Sequence, residues 1–187
     1  SSFNSLMRIS IACALLVLTV SCELGRTDAE YFKLAQKHYR NNDYASAIIE
    51  LKNALRVNAD FTNARLLLGE IHVELGRGAD AEKELVRAIK LGVPPESAVE
   101  LLADSLLLQG KAQELIDKYQ PEAEGSGLSS KALSLVGDAY LQLEDIESAA
   151  TFCQQALNQE PSNSRAKLGL ARVSIIRHDF VGAANLT

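Results

Sequence analysis

The chain has 187 residues, 47% hydrophobic but only 5% aromatic, so it can bury a real core that alanine and leucine must largely fill. A net charge of −5, with no cluster of Lys or Arg standing out along the chain, excludes a basic surface for nucleic acid. Trp is absent, and the three cysteines form no evenly spaced set that would suggest a disulfide framework.

Near the start, Met7-Arg8 precedes an apolar run from Ile9 to Val20, which contains Cys13 and is followed by Ser21-Cys22. The run is shorter than the roughly 20 residues a helix needs to cross a bilayer. It has the form of a signal-peptide hydrophobic segment, and residues 1–6 read as sequence upstream of a start at Met7. Leu18-Thr19-Val20-Ser21-Cys22 resembles a bacterial lipobox, with its leucine four places before the cysteine instead of three. The resemblance implies cleavage before Cys22 and lipid modification there. Residues 1–21 are then upstream sequence and signal peptide, and 22–27 a tether. A diacylglyceryl thioether with an N-acyl chain supplies the two hydrophobic signals that stable anchoring needs. By the sorting rule for such lipoproteins, Glu23 after the cysteine implies the outer membrane, facing the periplasm. An ordinary secretory signal cut nearby is the alternative.

From Asp28 onward, small residues recur every 34 positions in two registers. Ala47, Ala81, Ala149 and Ala183 form one, with Leu115 at the missing step; Ala35, Gly69, Ala103, Gly137 and Ala171 form the other. The first unit, 28–61, opens with Tyr31, Leu34, Ala35 and His38 on one helical face. Asn41-Asn42-Asp43 marks a turn, and Asp43 stands where it can cap a second helix from Tyr44 to Leu55. The second unit, 62–95, pairs Leu68-Gly69 with Ala81, Leu85 and Ala88. Gly76 makes its turn, and Gly92 ends its second helix before Pro94-Pro95. In the third unit, 96–129, Leu102-Ala103 and Gly110 keep the pattern. Pro121 and Gly125-Ser126-Gly127 then predict a short second helix, from Lys111 to about Tyr119, and a local irregularity. The fourth unit, 130–163, restores the pattern with Leu133, Val136-Gly137, Tyr140, Ala149 and Ala156. Cys153 falls on its buried helix, as a small core residue. The fifth, 164–187, keeps Leu170-Ala171 and stops inside its second helix, which suggests a fragment of a longer array.

This period and these small-residue registers resemble the tetratricopeptide repeat (TPR) family, whose unit is a helix–turn–helix. The resemblance implies an all-α fold, a right-handed α-solenoid of antiparallel helix pairs, whose first helices line a concave groove for a protein or peptide ligand. Carried onto this chain, the groove positions are Phe32, Gln36, Tyr39 and Arg40 in the first unit, and Asn63, Leu66, Glu70, Val73 and Glu74 in the second. Glu100, Asp104, Leu107 and Leu108 follow in the third, and Lys131, Ser134, Asp138, Leu141 and Gln142 in the fourth. Arg165, Leu168 and Arg172 complete the set. The middle alternates acidic and apolar residues, which suits a segment bearing Lys or Arg and aliphatic side chains. The plainer reading is that these charges solvate a helix face.

His38 and His72 both stand eleventh in their units, but no carboxylate or cysteine completes a ligand set at a recognised spacing, so they read as core or groove-edge residues. His178 falls at a repeat turn. The chain carries no Gly-x-Ser-x-Gly, His-Glu-x-x-His, phosphate loop or dinucleotide fingerprint, and neither catalysis, a cofactor nor a metal is expected. A narrower likeness lies in Ala47-Ile48-Ile49-Glu50-Leu51-Lys52-Asn53-Ala54-Leu55, in Ala64-Arg65-Leu66-Leu67-Leu68-Gly69-Glu70, in Ala81-Glu82-Lys83-Glu84-Leu85, in Leu91-Gly92-Val93-Pro94-Pro95 and in Leu108-Gln109-Gly110-Lys111. With the lipobox-like start, these resemble the TPR lipoprotein of PEP-CTERM/exosortase systems, found beside exopolysaccharide biosynthesis and protein-sorting machinery. The resemblance implies a non-catalytic envelope scaffold that meets the membrane through its lipid only. An outer-membrane assembly lipoprotein for pilus or porin subunits, and the TPR targeting array of a larger enzyme, are the alternatives.

Overall fold

The computed structural model describes residues 25–124 and 128–177; Cys22, Gly125-Ser126-Gly127, His178 and Ala183 lie outside them. Among the described residues there are nine α-helices, one short 3₁₀ turn and no strand. The helices are α1 Asp28–Arg40, α2 Tyr44–Val57, α3 Thr62–Glu74, α4 Gly78–Lys90, α5 Val99–Leu108, α6 Ala112–Glu124, α7 Ser130–Gln142, α8 Ile146–Gln159 and α9 Ser164–Ile176. They pair as antiparallel hairpins, α1 with α2 through α7 with α8, and each second helix also packs against the first helix of the next pair. This is an all-α TPR solenoid.

The turn inside each hairpin follows from one backbone device. Asn42, Gly76, Gly110 and Glu144 stand 34 apart and all have positive φ, between 57° and 70°. At each, the next residue's N–H reaches back five positions: Asp43 to the carbonyl of His38, Arg77 to His72, Lys111 to Leu106, and Asp145 to Tyr140, at 2.8–3.0 Å. These bonds satisfy carbonyls that the end of a helix would leave unpaired. Gly92, with φ of 105°, ends α4 the same way, Val93 N–H donating to the Ala88 carbonyl at 3.1 Å. The starts are capped by side chains. Thr27 and Glu30 form a reciprocal capping box on α1. The Asp43 and Asp145 carboxylates accept from Ser46 and Ser148 N–H, each at 3.1 Å, so Asp43 caps as its position predicts.

The core is built by setting small against large. Ala35, Ala103 and Ala171 are buried, as are Gly69 and Gly137, and so are Ala47, Ala81, Leu115 and Ala149 in the other register. Leu51, Leu85, Tyr119 and Cys153 recur at 34 on the second helices, all buried. A Cβ on Gly69 would come within 2.7 Å of the Leu85 side chain, and one on Gly137 within 2.6 Å of Cys153 Sγ. Each fully buried leucine contributes about 1.5–3 kcal/mol.

The third hairpin departs from expectation in two ways. Its first helix begins late, because Pro94-Pro95 leads into the 3₁₀ turn Pro95–Ser97 and α5 starts only at Val99. Its second helix runs to Glu124 instead of ending near Tyr119. Proline removes one N–H from the helical ladder. The burial of Ala112, Leu115, Ile116 and Tyr119 anchors α6 against its neighbours well enough to carry the helix through Pro121.

Candidate protein-docking face

The first helices α1, α3, α5, α7 and α9 present side chains at matching places along the array, and the structure treats its two ends differently. At the first two hairpins, Phe32, Gln36, Tyr39, Arg40, Asn63, Leu66 and Glu70 come together with Leu67 around an open hollow of about 400 Å³. Phe32 packs on Phe61 with ring centroids 5.1 Å apart, which fixes one wall. Tyr39 donates its hydroxyl to Glu70 Oε1 at 2.9 Å across the hollow, and burial together with that carboxylate pushes the phenol up to about 12. Val73 does not line the hollow but is half-buried against the core around Ala81 and Leu85, and Glu74 is exposed. The mixture is apolar, aromatic and amide, with one acid already engaged.

Further along, the acidic groups expected to attract a basic ligand are spent within the chain. Glu100 pairs with Lys131 at 3.0 Å and accepts from Ser129 Oγ at 2.8 Å. The Arg165 guanidinium forks between Asp104 at 2.9 Å and Asp138 at 3.1 Å, and Arg172 stands 3.7 Å from Asp138. The side chains of Asp104 and Asp138 are only 15% and 19% exposed. Burial raises both carboxyls above their ordinary range, and Arg165 opposes that rise without cancelling it. The acidic stretch is therefore an internal charge ladder, with the cations of one repeat neutralising the acids of the repeats before it.

Other positions also differ from a ligand-lining role. Leu141 is buried against Ala149 and Val173, and Ser134 is fully buried with its hydroxyl on the Lys131 carbonyl at 2.7 Å. Leu107 is half-buried against the core and Gln142 extends its amide to the Leu107 carbonyl at 3.4 Å, whereas Leu108 and Leu168 are exposed and stay open to a ligand. Leu67 and the bridging role of Arg165 escaped the sequence reading. Leu67 is adjacent to Leu66 and differs from it only in which side of α3 it occupies.

The histidines do not converge. His38 Nδ1 lies 3.0 Å from Asp43 Oδ2, while His72 is buried with Nδ1 unpartnered, and burial lowers its pKa. Among the described residues no group of three or more His, Cys, Asp or Glu is placed to hold a metal ion. Cys153 is fully buried between α7 and α9, and burial pushes its thiol up to about 12. Among the described residues, no helix is long and apolar enough to cross a membrane.

Comparison with known proteins bears on the whole array. Family models described as tetratricopeptide repeat match residues 32–92 and 130–163, together half of the chain. A TPR repeat-containing protein of Methanocaldococcus jannaschii is 27% identical over 140 residues, covering 74% of this chain and 24% of its own length, so the chain spans about a quarter of that relative. Among solved structures, MamA (41-end) from Desulfovibrio magneticus RS-1 superposes with a TM-score of 0.70 at 19% identity, over 85% of this chain and 90% of its own. PilW, titled a widely conserved type IV pilus biogenesis factor, gives 0.70 at 17% over 85% and 74%. YrrB, titled a TPR protein with an unusual peptide-binding site, gives 0.60 at 15% over 83% and 80%. At these identities the likeness is one of fold.

Proposed function

Because the chain belongs to the tetratricopeptide repeat family, we propose that it is a non-catalytic protein–protein interaction scaffold, held in the bacterial envelope by lipid at Cys22 and serving exopolysaccharide biosynthesis and PEP-CTERM protein sorting. The observation that carries the docking role is the hollow between α1 and α3. It is concave, walled by Phe32 and Leu66, and edged by the Gln36 and Asn63 amides, a lining suited to an extended segment with one apolar anchor and main-chain groups to satisfy. The internal charge ladder argues against a strongly basic ligand, so the partner contact falls on the first two repeats. The lipobox-like start supports the anchor, and the local likenesses around Ala47–Leu55 and Ala64–Glu70 support the sorting system.

Two experiments test this reading. Metabolic labelling with a palmitate analogue should mark the wild type and not Cys22→Ala; equal labelling removes the anchor. A photo-crosslinking amino acid at Leu66 should capture a component of the exopolysaccharide or sorting machinery in the producing cell. Capture of pilus or porin subunits instead would move the protein to outer-membrane assembly.

A further inference from the structure

Among the described residues, four of the five first helices bury one face against the preceding hairpin, and α1 leaves the matching face exposed. Three places on that face recur at 34. The first holds Ala64, Ala98, Ala132 and Ala166, all buried, and the second Leu67, Leu101, Leu135 and Gly169. The third holds Ile71, Ser105, Ala139 and Val173, also buried. On α1 the same three places are Glu30, Lys33 and Lys37, each exposed. The surface that receives another repeat is uncharged at all twelve of these places; the matching face of α1 is charged, which suits the outer face of a terminal repeat.

The replacement is also one-sided in charge. Arg26, Lys33, Lys37 and Arg40 surround Leu34 along a shallow hollow of about 340 Å³. They are too widely spaced in sequence to register as a cluster, yet the helix brings them onto one side. The one acid among them, Glu30, has its carboxylate held by the Thr27 N–H at 2.8 Å and hydroxyl at 3.1 Å. Among the described residues Lys33, Lys37 and Arg40 form no ion pair, as is also true of Lys52, Arg56, Lys83 and Lys90, but it is on the α1 side that four cations line one hollow. A chain of net charge −5 thus gathers cations on and just before its first helix, beginning at Arg26, four residues after Cys22.

We propose that this face of α1 lies against an anionic phospholipid surface, with Lys33, Lys37, Arg26 and Arg40 on the headgroups and Leu34 at the interface. The placement rests on the anchored-scaffold reading, but the contact itself needs no lipid on the protein. It would seat the first repeat on the membrane and turn the stack away from it. Each cation near an anionic surface is worth roughly fivefold in binding, and the attraction fades within a Debye length of about 8 Å at physiological salt.

The test uses the full chain carrying Cys22→Ala, so that no acyl group contributes. Affinity is measured for vesicles of phosphatidylcholine with about 30% phosphatidylglycerol and for phosphatidylcholine alone, and the ratio is taken so that apolar insertion common to both cancels. The expected ratio exceeds tenfold and collapses toward one in 1 M salt. It also collapses in Lys33→Glu/Lys37→Glu, with Lys33→Gln/Lys37→Gln between the two and the urea midpoints of both variants unchanged. A wild-type ratio near one, or a ratio the variants leave intact, overturns the proposal. So does a salt-sensitive dimer that both variants abolish, which would assign the face to a second copy of the chain. Failed labelling of Cys22 with an intact vesicle ratio would sink the anchor alone.

Discussion

Gly78 offers the sharpest test of the packing. It opens α4, and a Cβ built on it would lie 2.5 Å from the Ser105 carbonyl oxygen, 2.9 Å from Leu108 Cβ and 3.0 Å from Gln109 Cγ, all on or just after α5. The nearest of these is backbone, so the contact cannot be relieved by a rotamer change; the second and third hairpins must move apart. Overpacking of this kind costs about 1–3 kcal/mol. Replacing glycine by alanine in a helix returns about 0.5–1 kcal/mol, less in the first turn. Gly78→Ala should therefore destabilise by about 1–2 kcal/mol, lowering the urea midpoint by roughly 0.5–1 M for a slope near 2 kcal/mol/M. The equivalent places in the other second helices hold Tyr44, Ala112 and Ile146. Comparison by register alone thus predicts a harmless change, and the close approach predicts the opposite. Urea unfolding followed by circular dichroism decides, with Gly25→Ala as a control in open space. A midpoint unchanged or raised in Gly78→Ala would refute the reasoning.

Arg165→Ala should destabilise by about 1–2 kcal/mol near neutral pH, discounted because Arg165 is itself 38% exposed. Asp104 and Asp138 have raised folded pKa values, so between the ordinary aspartate value and the raised folded one the folded state binds more protons than the unfolded, and across that acidic window their contribution to stability falls as pH rises. Loss of Arg165 lifts both further, and the variant's deficit should shrink as pH drops into the carboxylate range; urea midpoints at pH 4.5 and 7 check this, and a pH-independent deficit contradicts it. Glu144→Gly should stabilise by about 0.5–1 kcal/mol, because Glu144 occupies the left-handed turn place that Gly76 and Gly110 hold elsewhere; a lower midpoint would count against strain at Glu144. Cys153 should resist iodoacetamide at pH 8 in the native chain and react on denaturation, read by peptide mass mapping, since its thiol is both fully buried and held up at about 12.

The repeat phase was legible because the constraint behind it is steric and local. Where two helix backbones nearly touch, only a small residue fits, so Ala35, Gly69, Ala103, Gly137 and Ala171 carry the period in plain sight. Asp43 could be assigned as a cap for the same reason: its partner is three residues away. The groove charges were not legible, because the answer depends on twist between repeats. Arg165 meets Asp104 and Asp138 only after α9 is rotated across α5 and α7, and nothing in the spacing of 104, 138 and 165 distinguishes a paired acid from a free one. Leu141 and Ser134 failed likewise, being turned inward by a packing angle that the register does not encode. Pro121 misled in the other direction: a local signal predicted a break that buried contacts from Ala112 to Tyr119 override.

Arg165 reaches back across two earlier repeats, so the stack is not joined only neighbour to neighbour. If the fifth repeat frays, Asp104 and Asp138 lose their shared counter-ion at once, and two sites upstream are left with desolvated negative charge. Detachment of α9 is therefore opposed from two repeats at once, and anything that clasps α9 tightens the middle of the array at a distance.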